Sequence, residues 1–81
     1  MVIPLSHLEQ GQKAQLVWMA LPPALECRLN DLGFTAEEWV TCAQKGQGGG
    51  MSAYMVRHSV IALRTPEASM VFVRLPPDRW A

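Results

Sequence analysis

Pro22-Pro23-Ala24-Leu25-Glu26-Cys27-Arg28-Leu29-Asn30-Asp31-Leu32-Gly33-Phe34 contains the strongest local signal in the chain. Proline fixes φ near the helical value and needs no amide donor in a first turn, so the pair at 22–23 stops what precedes it and opens a helix. Leu25, Leu29 and Leu32 stand at i, i+4 and i+7 and form one apolar stripe, while Glu26, Asn30 and Asp31 fall on the wet side. Glu26 complements the positive end of the helix dipole. Gly33 sits where a residue of positive φ closes a helix, and Phe34 is placed to fold back on the last turn. The spacing predicts a helix over about residues 23–32, under three turns long. A helix that short does not hold itself in water and has to dock on a sheet.

The flanking sequence supplies that sheet. Leu5 and Leu8 followed by Gly11 read as a short apolar lead-in that ends in a turn. Residues 14–19 alternate as a strand, with Ala14, Leu16 and Trp18 on one side and Gln15, Val17 and Met19 on the other. Further strands are expected at 40–43, 52–56, 60–64 (Ile61 and Leu63 inward) and 70–73, with a helical turn at 65–68. In the third of these five strands Ser52, Tyr54 and Val56 share a side, and either that set or its opposite is buried. Five short strands and one helix in 81 residues fit a mainly β fold. A small sheet escapes raw edges by curling into a barrel, so the expected fold is a five-stranded SH3-like barrel covered by the helix. The domain is expected over 3–75, with 76–81 a C-terminal tail.

Composition narrows the function. Hydrophobic residues make up 49% and charged residues 17%, the balance of a folded domain rather than a disordered tail. Seven Lys and Arg offset seven Asp and Glu. A protein that lives on phosphate backbones carries a basic excess, so nucleic acid is not an expected partner. Two cysteines do not make a secreted disulfide framework, and the first residues lack the features of a signal peptide. No apolar run reaches the ~20 residues of a membrane span. A cytoplasmic protein without direct membrane insertion is expected.

Three blocks, in order and at matching distances, resemble the FeoA family. Leu5-Ser6-His7-Leu8-Glu9-Gln10-Gly11-Gln12-Lys13-Ala14 follows the pattern Leu-x-x-Leu-x-x-Gly-x-x-Ala. Arg28-Leu29-Asn30-Asp31-Leu32-Gly33-Phe34 follows the family's helix end, and Val56-Arg57-His58-Ser59-Val60-Ile61-Ala62-Leu63-Arg64 its third block. The likeness spans 5–74. Departures fall in the loops: Ala36-Glu37 replaces a Pro-Gly turn, the Gly46–Gly50 stretch replaces a proline-bearing loop, and His58 stands in place of a hairpin glycine. The resemblance implies an SH3-like accessory protein of bacterial ferrous iron uptake. Its partner would be the cytoplasmic G-domain region of a FeoB-like transporter, with self-association also open. The alternative it implies is a metal-sensing or iron-chaperone module related to the C-terminal domain of iron-dependent repressors.

The chemistry-bearing residues are sparse. Metal ligands would come from His7, His58, Glu37 and Glu38, with Cys27 and Cys42 as ordinary small apolar residues. No pair has the spacing of a known metal motif, so no cofactor is required and weak binding of Fe(II) or another divalent cation is all they suggest. The Gly46–Gly50 stretch lacks the Lys-Ser/Thr and helix of a phosphate loop and reads as a connector. No catalytic residue is assigned, and the chain is not expected to be an enzyme. Trp and Met are enriched where proteins touch, which makes Met19, Trp39, Met51 and Met55 the candidate partner-binding residues.

Overall fold

Alternation of apolar and polar residues along short β-branched and aromatic runs is realised as a single antiparallel sheet that wraps around its own apolar side. A computed structural model of the chain describes residues 1–46, 50–57 and 59–76. The strands are β1 (Val2–Pro4), β2 (Lys13–Met19), β3 (Trp39–Gln44), β4 (Met51–Val56), β5 (Ser59–Arg64) and β6 (Val71–Arg74). Helix α1 covers Pro23–Asp31, a one-turn helix α2 covers Thr65–Ala68, and a 3-10 turn covers Leu5–His7. The strands pair in the order β1-β6-β2-β3-β4-β5, all antiparallel.

The fold is therefore the mainly β, SH3-like one expected, with two corrections. The sheet has six strands among the described residues, not five, and β1 and β5 lie at the two ends of the strand order without pairing. The extra strand is β1, three residues that pair Val2 with Arg74 and Pro4 with Phe72. A strand so short, ending in proline, carries too little alternation to be read from sequence.

The core is one cluster drawn from the inward positions of every long strand: Ala14 and Leu16, Val40 and Cys42, Tyr54 and Val56, Ile61 and Leu63, Val71 and Val73. The set Ser52, Tyr54 and Val56 is the buried one. Ser52 is the one buried polar residue among those described, and its Oγ accepts from the Gly46 amide at 2.9 Å. A side chain at Gly46 would place its Cβ 1.9 Å from the Met51 carbonyl oxygen, so only glycine lets β3 and β4 approach this closely. Next to Gly46, Lys45 donates from Nζ to the carbonyls of Ser6 and Leu8 at 2.5 and 2.6 Å, which ties the 3-10 turn to the end of β3.

Helix α1 closes as its sequence implies. The Phe34 amide donates to the Leu29 carbonyl at 2.9 Å and the Gly33 amide to the Asn30 carbonyl at 3.1 Å, with Gly33 at φ +107. These are the two bonds of a Schellman motif, and the apolar pair that accompanies it is Leu29 with Phe34, both buried. Burying Leu29 contributes roughly 1.5–3 kcal/mol to docking the helix. The third leucine of the predicted stripe is not buried. Leu32 is 43% exposed, because the helix ends at Asp31 and Leu32 turns away as its C-cap. Leu21, just ahead of the helix, takes its place in the core.

Strand β2 departs from simple alternation as well. Leu16 pairs with Val73, but Trp18 pairs with Phe72, so one residue, Val17, is inserted as a bulge. The slip reverses the expected sides. Trp18 turns outward at 54% exposure and Met19 packs against the core. The freed Trp18 ring stacks on Phe72, centroids 5.0 Å apart and planes 18° apart.

Candidate functional site

The same alternation that fills the core lays out the opposite side of the sheet. Along β3, Trp39 and Thr41 alternate with buried Val40 and Cys42; along β4, Met51, Ala53 and Met55 alternate with Ser52, Tyr54 and Val56. Register then assembles rows across strands. Lys13 stands opposite Thr41, Thr41 opposite Met55, and Met55 opposite Val60. Gln15 links Arg74 on one side to Trp39 on the other, and Met51 stands opposite Arg64. Directly opposed residues lie about 4.5–5.5 Å apart, so these side chains are neighbours.

The outcome is an apolar ridge on the outer face of β3, β4 and β5. Trp39 is 44% exposed, Met51 52%, Met55 42% and Val60 64%. Isolated exposed apolar residues are ordinary, whereas several on adjoining strands mark a surface suited to contact. Three of the four residues proposed from sequence as partner-binding, Trp39, Met51 and Met55, share this face. Met19 does not, since the β2 bulge carries it inward. Val60 was missed. Its signal was available in the predicted inward set of Ile61 and Leu63, which leaves Val60 outward beside Met55.

The metal candidates do not converge. His7 is exposed at the end of the 3-10 turn, and His58 lies outside the described residues. Glu37 and Glu38 occupy the turn before β3, but Glu38 Oε1 accepts from Arg57 Nη2 at 2.9 Å in the one ion pair among the described residues. That bond and the Glu38 charge raise the Arg57 pKa further above its usual high value. Cys27 is exposed on α1, whereas Cys42 is buried under β3, where loss of water pushes its thiol pKa up and holds it protonated. No group of three His, Cys, Asp or Glu among the described residues is placed to hold an ion. A metal site needs several converging ligands, which the described donors do not supply.

The turn itself carries a local strain. Glu37 adopts φ 73, the left-handed region that favours glycine. It is held there because its amide donates to the Leu16 carbonyl at 2.7 Å and its carbonyl accepts from Gln15 Nε2 at 2.9 Å. Among the described residues Arg57 is the other non-glycine at positive φ, at φ 54, next in sequence to His58, which stands in place of a hairpin glycine.

Concavities flank α1. One of about 510 Å3 lies between α1, β2 and the following turn, lined in part by Trp18, Glu26 and Asn30. Another of about 280 Å3 separates α1 from β5 and is lined by Leu25, Leu29, Leu32, Ile61 and Leu63, with Arg28 and Glu67 beside them. A third, of about 420 Å3, sits at the helix C-terminus beside Arg57. None of them gathers a nucleophile, a base and an oxyanion donor. No helix among the described residues is long and apolar enough to cross a membrane.

Comparison with known proteins agrees with this geometry. A solution structure of a FeoA protein from Chlorobium tepidum is 25% identical and superposes with a TM-score of 0.85, over 90% of this chain and 70% of that one. A crystal structure of FeoA from Stenotrophomonas maltophilia complexed with zinc is 32% identical, with a TM-score of 0.70 over 90% of this chain and 88% of that one. A manganese-dependent transcriptional repressor, 13% identical, matches 93% of this chain with a TM-score of 0.81 but only 42% of its own length. At that identity the likeness is one of fold. No curated protein sequence matches significantly. The FeoA domain model matches residues 3–75, nearly the whole chain, and the protein belongs to the FeoA domain family.

Proposed function

We propose that this protein is a non-enzymatic accessory factor of bacterial ferrous iron uptake that works by contact with the cytoplasmic G-domain region of a FeoB-like transporter. Membership of the FeoA domain family carries this reading. The Stenotrophomonas relative, at 32% identity, is described as a prokaryotic SH3 domain protein and a candidate activating factor of ferrous iron transport. The exposed ridge of Trp39, Met55 and Val60 supports a contact function, since such residues recur where partners meet. A cytoplasmic location follows from that partner. Resident metal chemistry gains no support from the ligand positions, because the Glu38 carboxylate is paired and Cys42 is buried.

The test is calorimetric titration of the full chain into the purified cytoplasmic part of a FeoB-like transporter from the same cell. One-to-one binding is expected, with or without added metal. Anaerobic titration of the chain with Fe(II) alone should show at most weak uptake of heat. Tight stoichiometric Fe(II) binding in the absence of transporter binding would replace this reading with that of an iron chaperone.

A further inference from the structure

The chain is neutral overall, yet none of its described strands carries a carboxylate. Lys13, Arg64 and Arg74 are the charged residues within the described strands, and all three are cations. The carboxylates of Glu9, Glu26, Asp31, Glu37, Glu38 and Glu67 all stand in turns and helices. Segregation of this kind gives one face a positive potential without any excess of net charge.

The cations border the apolar ridge. Lys13 begins the row that runs through Thr41 and Met55 to Val60; Arg74 stands two strands from Trp39, across Gln15; Arg64 stands opposite Met51. None of the three forms a side-chain ion pair among the described residues, where the one ion pair is Arg57 with Glu38, although the Arg64 backbone amide donates to Glu67 Oε1 at 3.0 Å. An apolar centre with unpaired cations at its rim is the usual anatomy of a protein interface, and it fixes the sign of the partner.

We propose that the outer face of β2, β3, β4 and β5 binds an acidic segment of a partner protein, whose carboxylates pair with Lys13, Arg64 and Arg74 while its apolar side chains cover Trp39, Met55 and Val60. This deepens the proposed function, because it rests on the chain being a protein-docking module and names the surface and the chemistry of what docks. A second copy meeting the same face would bring no strand carboxylate to the three cations, since the described strands carry none. Three cations also fall short of the roughly 4–8 that mark anionic-lipid surfaces and of the about 6–10 phosphate contacts of salt-sensitive DNA binders.

Amide chemical-shift mapping on the full chain tests this with four probes. They are the transporter's cytoplasmic part, a synthetic Glu-rich peptide carrying Trp and Leu, phosphatidylserine-containing vesicles and single-stranded oligothymidine. The expected result is a set of shifts on β3, β4 and β5 with the transporter part and with the peptide, weakened by salt. A version of the peptide with Gln in place of Glu should bind at least about tenfold more weakly. Lys13→Glu combined with Arg64→Glu should weaken both interactions by a similar factor, whereas Arg28→Glu on α1 should leave them unchanged. Thermal melts of the variants, expected to match the parent, separate lost contact from lost fold. The proposal is overturned if shifts gather around α1, if the double charge reversal leaves affinity intact, or if vesicles or oligothymidine bind more tightly than the peptide. If the transporter part fails to bind while the acidic peptide still maps to the sheet, the transporter reading falls and the docking face stands.

Discussion

Val56 and Met55 are adjacent in sequence and live in different media. Val56 is fully buried beside Val40, its partner across the β3–β4 pair, while Met55 stands outside between Thr41 and Val60. Both sides of this sheet carry large apolar side chains, yet one is packed against a helix, a 3-10 turn and its own curvature, and the other meets water. Apolar identity alone does not tell core from contact surface. What distinguishes them is the company: inside, Ser52 is the only buried polar residue among those described; outside, Lys13, Arg64 and Arg74 border the ridge.

Breaking the inner side should have the largest effect. Leu29 is both the anchor of α1 and one partner in the Schellman contact with Phe34. Leu29→Asp removes that anchor and forces a carboxylate into an apolar site, at a cost of about 4–5 kcal/mol or more. Domains of this size hold roughly 4–12 kcal/mol in total, so the variant should lose a large share of its stability, read as a strongly lowered denaturant midpoint or an absent transition by circular dichroism. Val56→Ala on the same side should cost about 2 kcal/mol, read from denaturant midpoints, through lost burial and the small cavity it leaves. Cooperative folding of Leu29→Asp with a parental midpoint would show that the helix is dispensable to the core.

How much of this was legible before the structure follows from the same contrast. Local periodicity placed α1, its glycine stop, five of the six described strands and the inward set of β5, because each is written in a few consecutive residues. The β2 bulge was not legible. Nothing in Leu16-Val17-Trp18 announces an inserted residue; the slip is visible only in the pairing of β2 with β6. It moved Met19 from the surface to the core and Trp18 the other way. The candidate contact residues on β3 and β4 were legible as residue types, but their union into one ridge depends on register, which Trp39, Met51 and Met55 do not reveal by their spacing along the chain. The charge sorting needed no coordinates beyond the strand boundaries, yet it has meaning only once the face carrying Lys13, Arg64 and Arg74 is known. His58 could not be placed, since it lies outside the described residues.

Raising the pH should sharpen the difference between the sides more gently. Burial raises the pKa of the Cys42 thiol from an ordinary value of 9.0 and that of the Tyr54 phenol from 10.0, the latter partly offset by a hydrogen bond with Ser52. Both groups hold their protons more tightly folded than unfolded. Their contribution is therefore constant below the unfolded values and falls as pH climbs from about 9 through the raised folded values. Urea midpoints should be flat between about pH 7 and 8.5 and decline above, and Cys42→Ala should decline less steeply than the parent. Equal slopes for the two proteins would mean that Cys42 does not govern the alkaline loss.

Met55→Ala is expected to have the smallest effect on folding and is the most informative test of the outer face. Its side chain is 42% exposed, and no second layer packs over it among the described residues, so truncation leaves no cavity. Substitutions at surface sites of this kind usually stay within about 0.5 kcal/mol of the parent. The neighbouring Val56→Ala, one residue away and smaller in volume lost, should cost several times as much. Denaturant midpoints for the pair measure the difference directly. If Met55 proved as costly as Val56, its side chain would be serving the fold, and a ridge that serves the fold is not free to be covered by another protein.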